Sequence, residues 1–221
     1  MSIQPLKYLS PVLQPLYRAY FSRTRPFRYG NIRIRVEPGV FYPGFIFSTK
    51  ILLQFIGQME LKDKKLLELG AGSGIISLYA ASRGAIVTAS DINPTAVENI
   101  RENANRNNIE IEVIESDLFR KIPEVDFDFI IIAPPYYPKD PGNYAEMAWF
   151  CGKDHEYFQR LFEQLPDYYH PGIKVYMILS EDCNIQHIKY IGEEHGFRFD
   201  LVLKKKKIGE WNYIFGISRN D

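Results

Sequence analysis

The stretch Leu67-Glu68-Leu69-Gly70-Ala71-Gly72-Ser73-Gly74 is the part of the chain best suited to hold a small molecule. Glycine has no Cβ, so its backbone can approach a ligand closely and turn where other residues cannot. The helix expected to follow offers free N–H groups and the positive end of its dipole, which favours a carboxylate or phosphate. The spacing differs from a dinucleotide fingerprint, because the third glycine is Gly74 and Ile75 stands where G-x-G-x-x-G requires one. Without a lysine followed by Ser or Thr, it is not a Walker loop either. Asp91 ends the next apolar run, where a carboxylate can accept hydrogen bonds from both hydroxyls of a ribose. Asp117, in Glu115-Ser116-Asp117-Leu118, follows the run after that and can accept from an adenine amino group. A single loop aspartate is ordinarily a helix cap or a turn residue. Three strand ends in register, each with a suitable side chain, are hard to explain structurally.

These residues need strands that end at them and helices that start after them. The pattern predicts a strand over Lys65–Leu69, then the glycine loop and a helix through about Ser82. Ala85–Ser90 reads as a second strand, and Pro94 opens the next helix at the position where proline is best tolerated. Ile109–Ile114 reads as a third strand. Phe127–Ile132 reads as a fourth, apolar enough to be buried on both faces. After Pro134-Pro135 come a long polar loop, a helix near 154–165, a fifth strand over Lys174–Leu179 and a helix over Ile185–His195. Phe197–Lys205 and Trp211–Ser218 flank a turn at Ile208-Gly209-Glu210 and form a hairpin. Upstream, Ile32–Val36 alternates as a strand, and Thr49–Ile56 reads as a helix capped by Ser48 or Thr49. Residues 1–24 read as a helical or irregular arm. The expected fold is α/β: a doubly wound, mostly parallel, seven-stranded sheet with an antiparallel C-terminal β-hairpin. Lys204 to Lys207 read as a guarded sheet edge, with nucleic-acid contact as the alternative.

With these motifs the chain resembles the class I S-adenosylmethionine-dependent methyltransferases, from about Gly39 to its C-terminus. The resemblance implies that Gly70, Ala71, Gly72 and Gly74 face the methionine moiety and that Asp91 holds the ribose. It places Ile92 against adenine and gives Asp117 the adenine amine, with Leu118 beside it. Glu68 matches the family's acidic position before the loop, and Thr49 completes the expected cofactor set. Ile131-Ile132-Ala133-Pro134-Pro135-Tyr136 is similar to the Asn/Asp-Pro-Pro-Tyr motif of amino-group methyltransferases. Those enzymes act on glutamine amides of release factors or on exocyclic amines of nucleic-acid bases. Phe41-Tyr42-Pro43-Gly44, Ala148 to Lys153 and His170-Pro171-Gly172 agree with the release-factor glutamine methyltransferase-like branch.

Ala133, Pro134, Pro135 and Tyr136 are therefore the expected catalytic turn, with one departure. Ala133 stands where the motif has Asn or Asp, whose side chain accepts a hydrogen bond from the target N–H. Alanine keeps the turn and removes the acceptor. A hydrogen bond to a group gaining charge contributes about 1.5–3 kcal/mol, roughly one to two decades in rate. A cofactor-binding protein without transfer activity, and a methyltransferase for an oxygen or small-molecule acceptor, stand as alternatives.

The remaining features bound the setting. A chain of 221 residues, 46% hydrophobic and 24% charged, suits one soluble α/β domain with a short extension. Residues 1–38 form a basic arm and short strand; 39–221 form the cofactor-binding domain. Residues 1–36 hold Lys7, Arg18, Arg23, Arg25, Arg28, Arg33 and Arg35 and no acid, hence +7; the rest carries −7, because 27 basic and 27 acidic groups cancel. Such an arm is a candidate handle for an RNA or acidic protein substrate, or else a solvated, arginine-rich surface. The start lacks the apolar core and cleavage site of a signal peptide, and no apolar run is long enough to span a membrane. Cys151 and Cys183 have no partnering pattern, so neither a disulfide framework nor a metal site is expected, and the reducing cytoplasm is the natural setting. Of the four histidines only His155 is placed to face a pocket; a surface or capping role suits each. The sequence does not fix an oligomeric state.

Overall fold

The computed structural model describes residues 22–44, 47–207 and 209–220. Most of the arm expected over residues 1–24 therefore lies outside the described residues. The first element is a hairpin, β1 (Arg25–Tyr29) and β2 (Ile32–Val36), turned at Gly30, whose φ of 58° lies in the left-handed region. Ile32, Ile34 and Val36 point inward and are at most 3% exposed. Helix α1 (Phe47–Ile56) follows. It starts at Phe47, so Ser48 and Thr49 sit inside its first turn and do not cap it.

The main sheet then builds as expected, from β3 (Lys65–Leu69), β4 (Ile86–Asp91), β5 (Glu112–Glu115), β6 (Phe129–Ile132), β7 (Lys174–Ser180), β8 (Phe197–Lys207) and β9 (Glu210–Arg219). Its seven strands run in the order β5-β4-β3-β6-β7-β9-β8. The first five pair in parallel, while β9 is antiparallel to both β7 and β8. Helices α2 (Ile75–Ala81) and α3 (Pro94–Asn107) join α1 and the hairpin on one face. Beyond β6 come the single turn α4 (Tyr144–Met147), α5 (Glu156–Gln164) and α6 (Ile185–Glu194), with α5 and α6 packing on the other face. Strand β6, Phe-Ile-Ile-Ile, supplies both cores: Phe129 and Ile131 to one, Ile130 and Ile132 to the other. Burial on both faces explains why its sequence does not alternate.

Most element bounds lie within one or two residues of the sequence pattern, and two departures are larger. Asn108 takes a left-handed φ of 53° to end α3, and the Ile109 N–H donates to Ala104 O at 3.0 Å. Ile109 and Ile111 are thereby drawn onto the helix-side core, and β5 starts only at Glu112. The long loop after Pro135 is also less irregular than expected. It contains α4, capped by Asn143, whose side chain accepts from the Glu146 N–H at 3.1 Å.

The hairpin is fastened to the body by three asparagines spaced four apart on α3. The Arg33 N–H donates to Asn107 Oδ1 (3.0 Å), and Asn107 Nδ2 donates back to Arg33 O (2.8 Å). Asn103 repeats the exchange with Arg35, at 2.9 and 2.8 Å. Asn99 accepts from the Glu37 N–H at 3.4 Å and donates to Arg35 O at 2.9 Å. Side-chain amides thus stand in for a neighbouring strand along the β2 edge, satisfying backbone groups that burial would otherwise leave unpaired. Asn103 also donates to Ser73 O at 3.3 Å, which ties the hairpin to the glycine loop.

Candidate active site

The chain winds from β3 outward to β5 and then crosses back to β6, so the loops after β3 and β6 leave in opposite directions. A crevice opens at such a reversal, beyond the carboxyl ends of the strands. Here it is a cavity of about 370 Å³. The loop after β3 lines it with Gly70, Ala71, Gly72 and Ser73, and Asp91, Ile92 and Asn93 follow from β4. Asp117 and Leu118 come from beyond β5, and Ala133 to Tyr137 from beyond β6. Thr49 of α1 and Glu68 of β3 also line it, so every expected site residue but Gly74 faces one space.

Gly74 has a different task. It precedes α2 at φ 77°, and a Cβ there would come within 3.0 Å of Ile100. Its bareness lets α2 and α3 pack closely and contributes nothing to the cavity lining.

The glycine loop is held open by Asp91. One carboxylate oxygen accepts from the Gly72 N–H (2.8 Å) and the other from the Asn93 N–H (2.9 Å). Burial raises the pKa of Asp91, and these N–H groups act against that rise. Asn93 in turn accepts from the Thr95 N–H (3.0 Å) to cap α3 and donates to Gly39 O (3.1 Å). A Cβ on Gly70 would meet nothing within 4 Å, and one on Gly72 only Phe41, at 3.7 Å. The space beside the loop is open for a ligand, although φ of 70° and 54° disfavours a side chain at either position.

Glu68 is 2% exposed, and its carboxylate is hydrogen-bonded by the Ser77 hydroxyl. Burial, reinforced by the charge of Asp91 and offset by Ser77, pushes its pKa up to about 8. With that pKa its carboxyl group holds its proton at neutral pH. Asp117 is paired instead, with Arg160 at 2.5 Å and Arg120 at 3.6 Å on the same oxygen. Arg160 and the half-buried Tyr157, both from the start of α5, also line the cavity, and sequence reasoning missed both. Neither belongs to a motif that marks it as a ligand contact.

Beyond β6 the cavity wall continues with the two prolines and Tyr136, which form the turn. Tyr136 is 9% exposed, and burial holds its phenol well above the ordinary tyrosine value. The Tyr137 N–H donates to Trp149 O and the Cys151 N–H to Tyr137 O, both at 3.0 Å, so the following loop folds back over the turn. This brings Trp149 against Phe41, with ring centroids 5.0 Å apart. Phe41, Trp149, Phe150, Tyr136 and Tyr137 give the cavity aromatic walls. The side chain of Ala133 leaves no hydrogen-bonding group on the turn. His155 does not line the cavity and is not on the surface: it is 6% exposed before α5, edge-on to His187 at 4.7 Å.

Comparison with known proteins agrees with this arrangement. The family model of the methyltransferase small domain matches residues 31–183. The chain belongs to the methyltransferase small domain family. This methyltransferase is 35% identical over 172 residues to a putative protein N5-glutamine methyltransferase of Methanocaldococcus jannaschii, covering 73% of this chain and 85% of the relative. It is 29% identical to the human methyltransferase HEMK2, covering 63% of this chain and 71% of HEMK2. Among solved structures, a methyltransferase from Pyrococcus furiosus superposes with a TM-score of 0.63 at 25% identity, over 93% of this chain and 96% of that one. The E. cuniculi Mtq2–Trm112 complex, responsible for methylation of the eRF1 translation termination factor, shares the fold. Its TM-score is 0.62 at 21% identity, over 82% of this chain and 99% of that one. The cofactor of this methyltransferase is S-adenosyl-L-methionine, and the open glycine cradle beside Asp91 fits it. Among the described residues no group of His, Cys, Asp and Glu could hold a metal ion, and no helix is long and apolar enough to cross a membrane.

Proposed function

We propose that the chain methylates a planar nitrogen of a macromolecule, either a glutamine amide of a protein or an exocyclic amine of an RNA base. The observation that carries this reading is one cavity lined by two unlike sets of residues. Gly70, Asp91 and Asp117 are polar or bare, and Pro134-Pro135-Tyr136, Phe41 and Trp149 are rigid or aromatic. The archaeal relative's name, putative protein N5-glutamine methyltransferase, supports the amide. When bound, S-adenosylmethionine would supply an electrophilic sulfonium methyl for in-line transfer to the acceptor nitrogen, with S-adenosylhomocysteine as the leaving group.

The protein's own part is to hold and orient. Asp91 takes the ribose hydroxyls with lone pairs its backbone donors leave free, and Asp117 takes the adenine amine. Ile92, Leu118 and Tyr157 flank the base. Thr49, Glu68 and the Gly70–Gly72 backbone surround the methionine end. The rigid Pro-Pro turn and the flanking rings hold a planar acceptor by stacking, which converts an encounter into a positioned reaction. Tyr136 is no general base, because burial keeps its proton in place. Orientation without the motif's amide acceptor is weaker, so Ala133 sets the present rate. The two buried free thiols, Cys151 and Cys183, fit a reducing cytoplasm.

The test is labelled methyl transfer to protein and RNA fractions of a cell extract, for the parent and Ala133→Asn side by side. An added acceptor on the same turn raises transfer about ten-fold on the hydrogen-bond estimate. Vigorous parent activity abolished by Ala133→Asn would overturn the nitrogen reading in favour of an oxygen acceptor. No transfer by either protein would favour cofactor binding without catalysis.

A further inference from the structure

We propose that the outer face of the β1–β2 hairpin docks the sugar–phosphate backbone of RNA. The strand register puts Arg28 directly opposite Arg33 and Pro26 opposite Arg35, all on the exposed side, with Arg23 exposed in the segment leading in. Like charges directly opposite one another weaken a sheet. No carboxylate relieves these: none of the ion pairs among the described residues includes Arg23, Arg28, Arg33 or Arg35. The nearest acid in sequence, Glu37, is engaged by the Thr24 hydroxyl at 2.8 Å. Facing guanidiniums with no ion-paired carboxylate repel one another, and a polyanion removes that repulsion.

The chemistry of the face selects among polyanions. Protein interfaces centre on apolar or aromatic anchors and exclude charge from their middle. This face has no large exposed hydrophobic residue; Phe27, Tyr29, Ile32, Ile34 and Val36 all pack inward. Interfaces with nucleic acid are instead strongly basic and polar, and guanidinium matches phosphate in a bidentate fork.

The face also has a fixed relation to the cavity. The chain leaves β2 through Glu37 and lines the cavity with Gly39, Val40 and Phe41. Asn103 bonds the Arg35 backbone and the Ser73 carbonyl of the glycine loop together. RNA on the hairpin would therefore be held on the same rigid frame as the cavity. The inference goes beyond the acceptor assignment, since a protein acceptor carried on RNA would use the same surface.

The experiment measures binding rather than transfer, so its failure is separate from that of the proposed function. A labelled single-stranded RNA is titrated by fluorescence anisotropy at several salt concentrations against the parent and the triple variant Arg28→Gln, Arg33→Gln, Arg35→Gln. The variant is expected to bind at least ten-fold more weakly. Its slope of log affinity against log salt should be shallower by about 2, at about 0.7 per lost phosphate contact. Cofactor affinity should match the parent, and the unfolding midpoint should not fall, because all three side chains are exposed and the variant removes their mutual repulsion. Equal RNA affinity of the two proteins, or no parent binding at low salt, overturns the proposal. So does a variant that keeps RNA binding yet loses binding to polyglutamate, which would assign the face to an acidic protein.

Discussion

Replacing Glu68 by glutamine should flatten the pH dependence of stability between pH 4.5 and about 8. Glu68 lies under the glycine loop, 2% exposed, and burial raises its pKa from 4.5 to about 8. The folded protein therefore holds a proton that the unfolded chain has released throughout the window from 4.5 to about 8. Stability falls with pH wherever the folded state binds more protons, so raising the pH through that window destabilises the fold. At about 1.4 kcal/mol for each pH unit, the effect reaches at most about 5 kcal/mol across the window. Glutamine keeps an acceptor for Ser77 and cannot ionise. Urea unfolding of parent and Glu68→Gln at several pH values between about 5 and 8 measures the difference. The variant should gain on the parent by several kcal/mol as pH rises. A parent–variant difference constant across the range would refute the reasoning, because it would mean that Glu68 titrates normally. The same proton makes a second readout: a cation entering the cavity favours the carboxylate, so S-adenosylmethionine binding at pH 7 should release a proton. Calorimetry in buffers of different ionisation enthalpy counts it.

Asp91→Ala should weaken S-adenosylmethionine binding by roughly 2–4 kcal/mol, read by calorimetry, because it removes the ribose acceptor along with the two N–H contacts that shape the loop. Asn103→Ala removes the acceptor of the Arg35 N–H, a donor to Ser73 O and one of the two donors to Arg35 O, Asn99 remaining as the other. At about 1–3 kcal/mol for leaving a buried polar group unpaired, it should lower the denaturant midpoint clearly, and Asn103→Gln should fail to restore it. Gly74→Ala sets a Cβ 3.0 Å from Ile100 at a φ of 77°, and should cost about 1–3 kcal/mol by thermal unfolding while leaving cofactor contacts in place.

The strand–helix alternation was readable because β3, β4 and β6 are short, largely apolar runs with a residue of chemical interest at or just beyond their ends. Lys65–Leu69 and Ile32–Val36 match the sequence pattern residue for residue. The cavity residues that carry motifs were legible for the same reason: Gly70, Asp91, Asp117 and Pro134 each stand at the end of a strand. What stayed hidden depends on contacts between distant parts of the chain. Arg160 reaches Asp117 across 43 positions, and nothing in the α5 sequence marks it. Gly74 belongs to the motif, yet its neighbour Ile100 gives it a packing role. Asn99, Asn103 and Asn107 read as a polar stripe on a helix; only the strand beside them turns that stripe into a binding edge.

That asparagine stripe also acts as a ruler. Four residues of helix advance about 6.0 Å, whereas two residues of strand advance about 6.7 Å. The two scales start together at Asn107 and Arg33 and drift apart by more than about 1 Å over two steps, while the helix face also rotates away. The bond from the strand N–H is longest at the last step: 3.0 Å at Arg33, 2.9 Å at Arg35 and 3.4 Å at Glu37. The next alternate residue, Gly39, is met by Asn93 from the cap of α3, whose Nδ2 donates to Gly39 O at 3.1 Å. One helix and its cap thus hold the chain from β2 to the point where it enters the cavity wall. Lengthening β2 by two residues would put the chain beyond the insertion out of step with these asparagines.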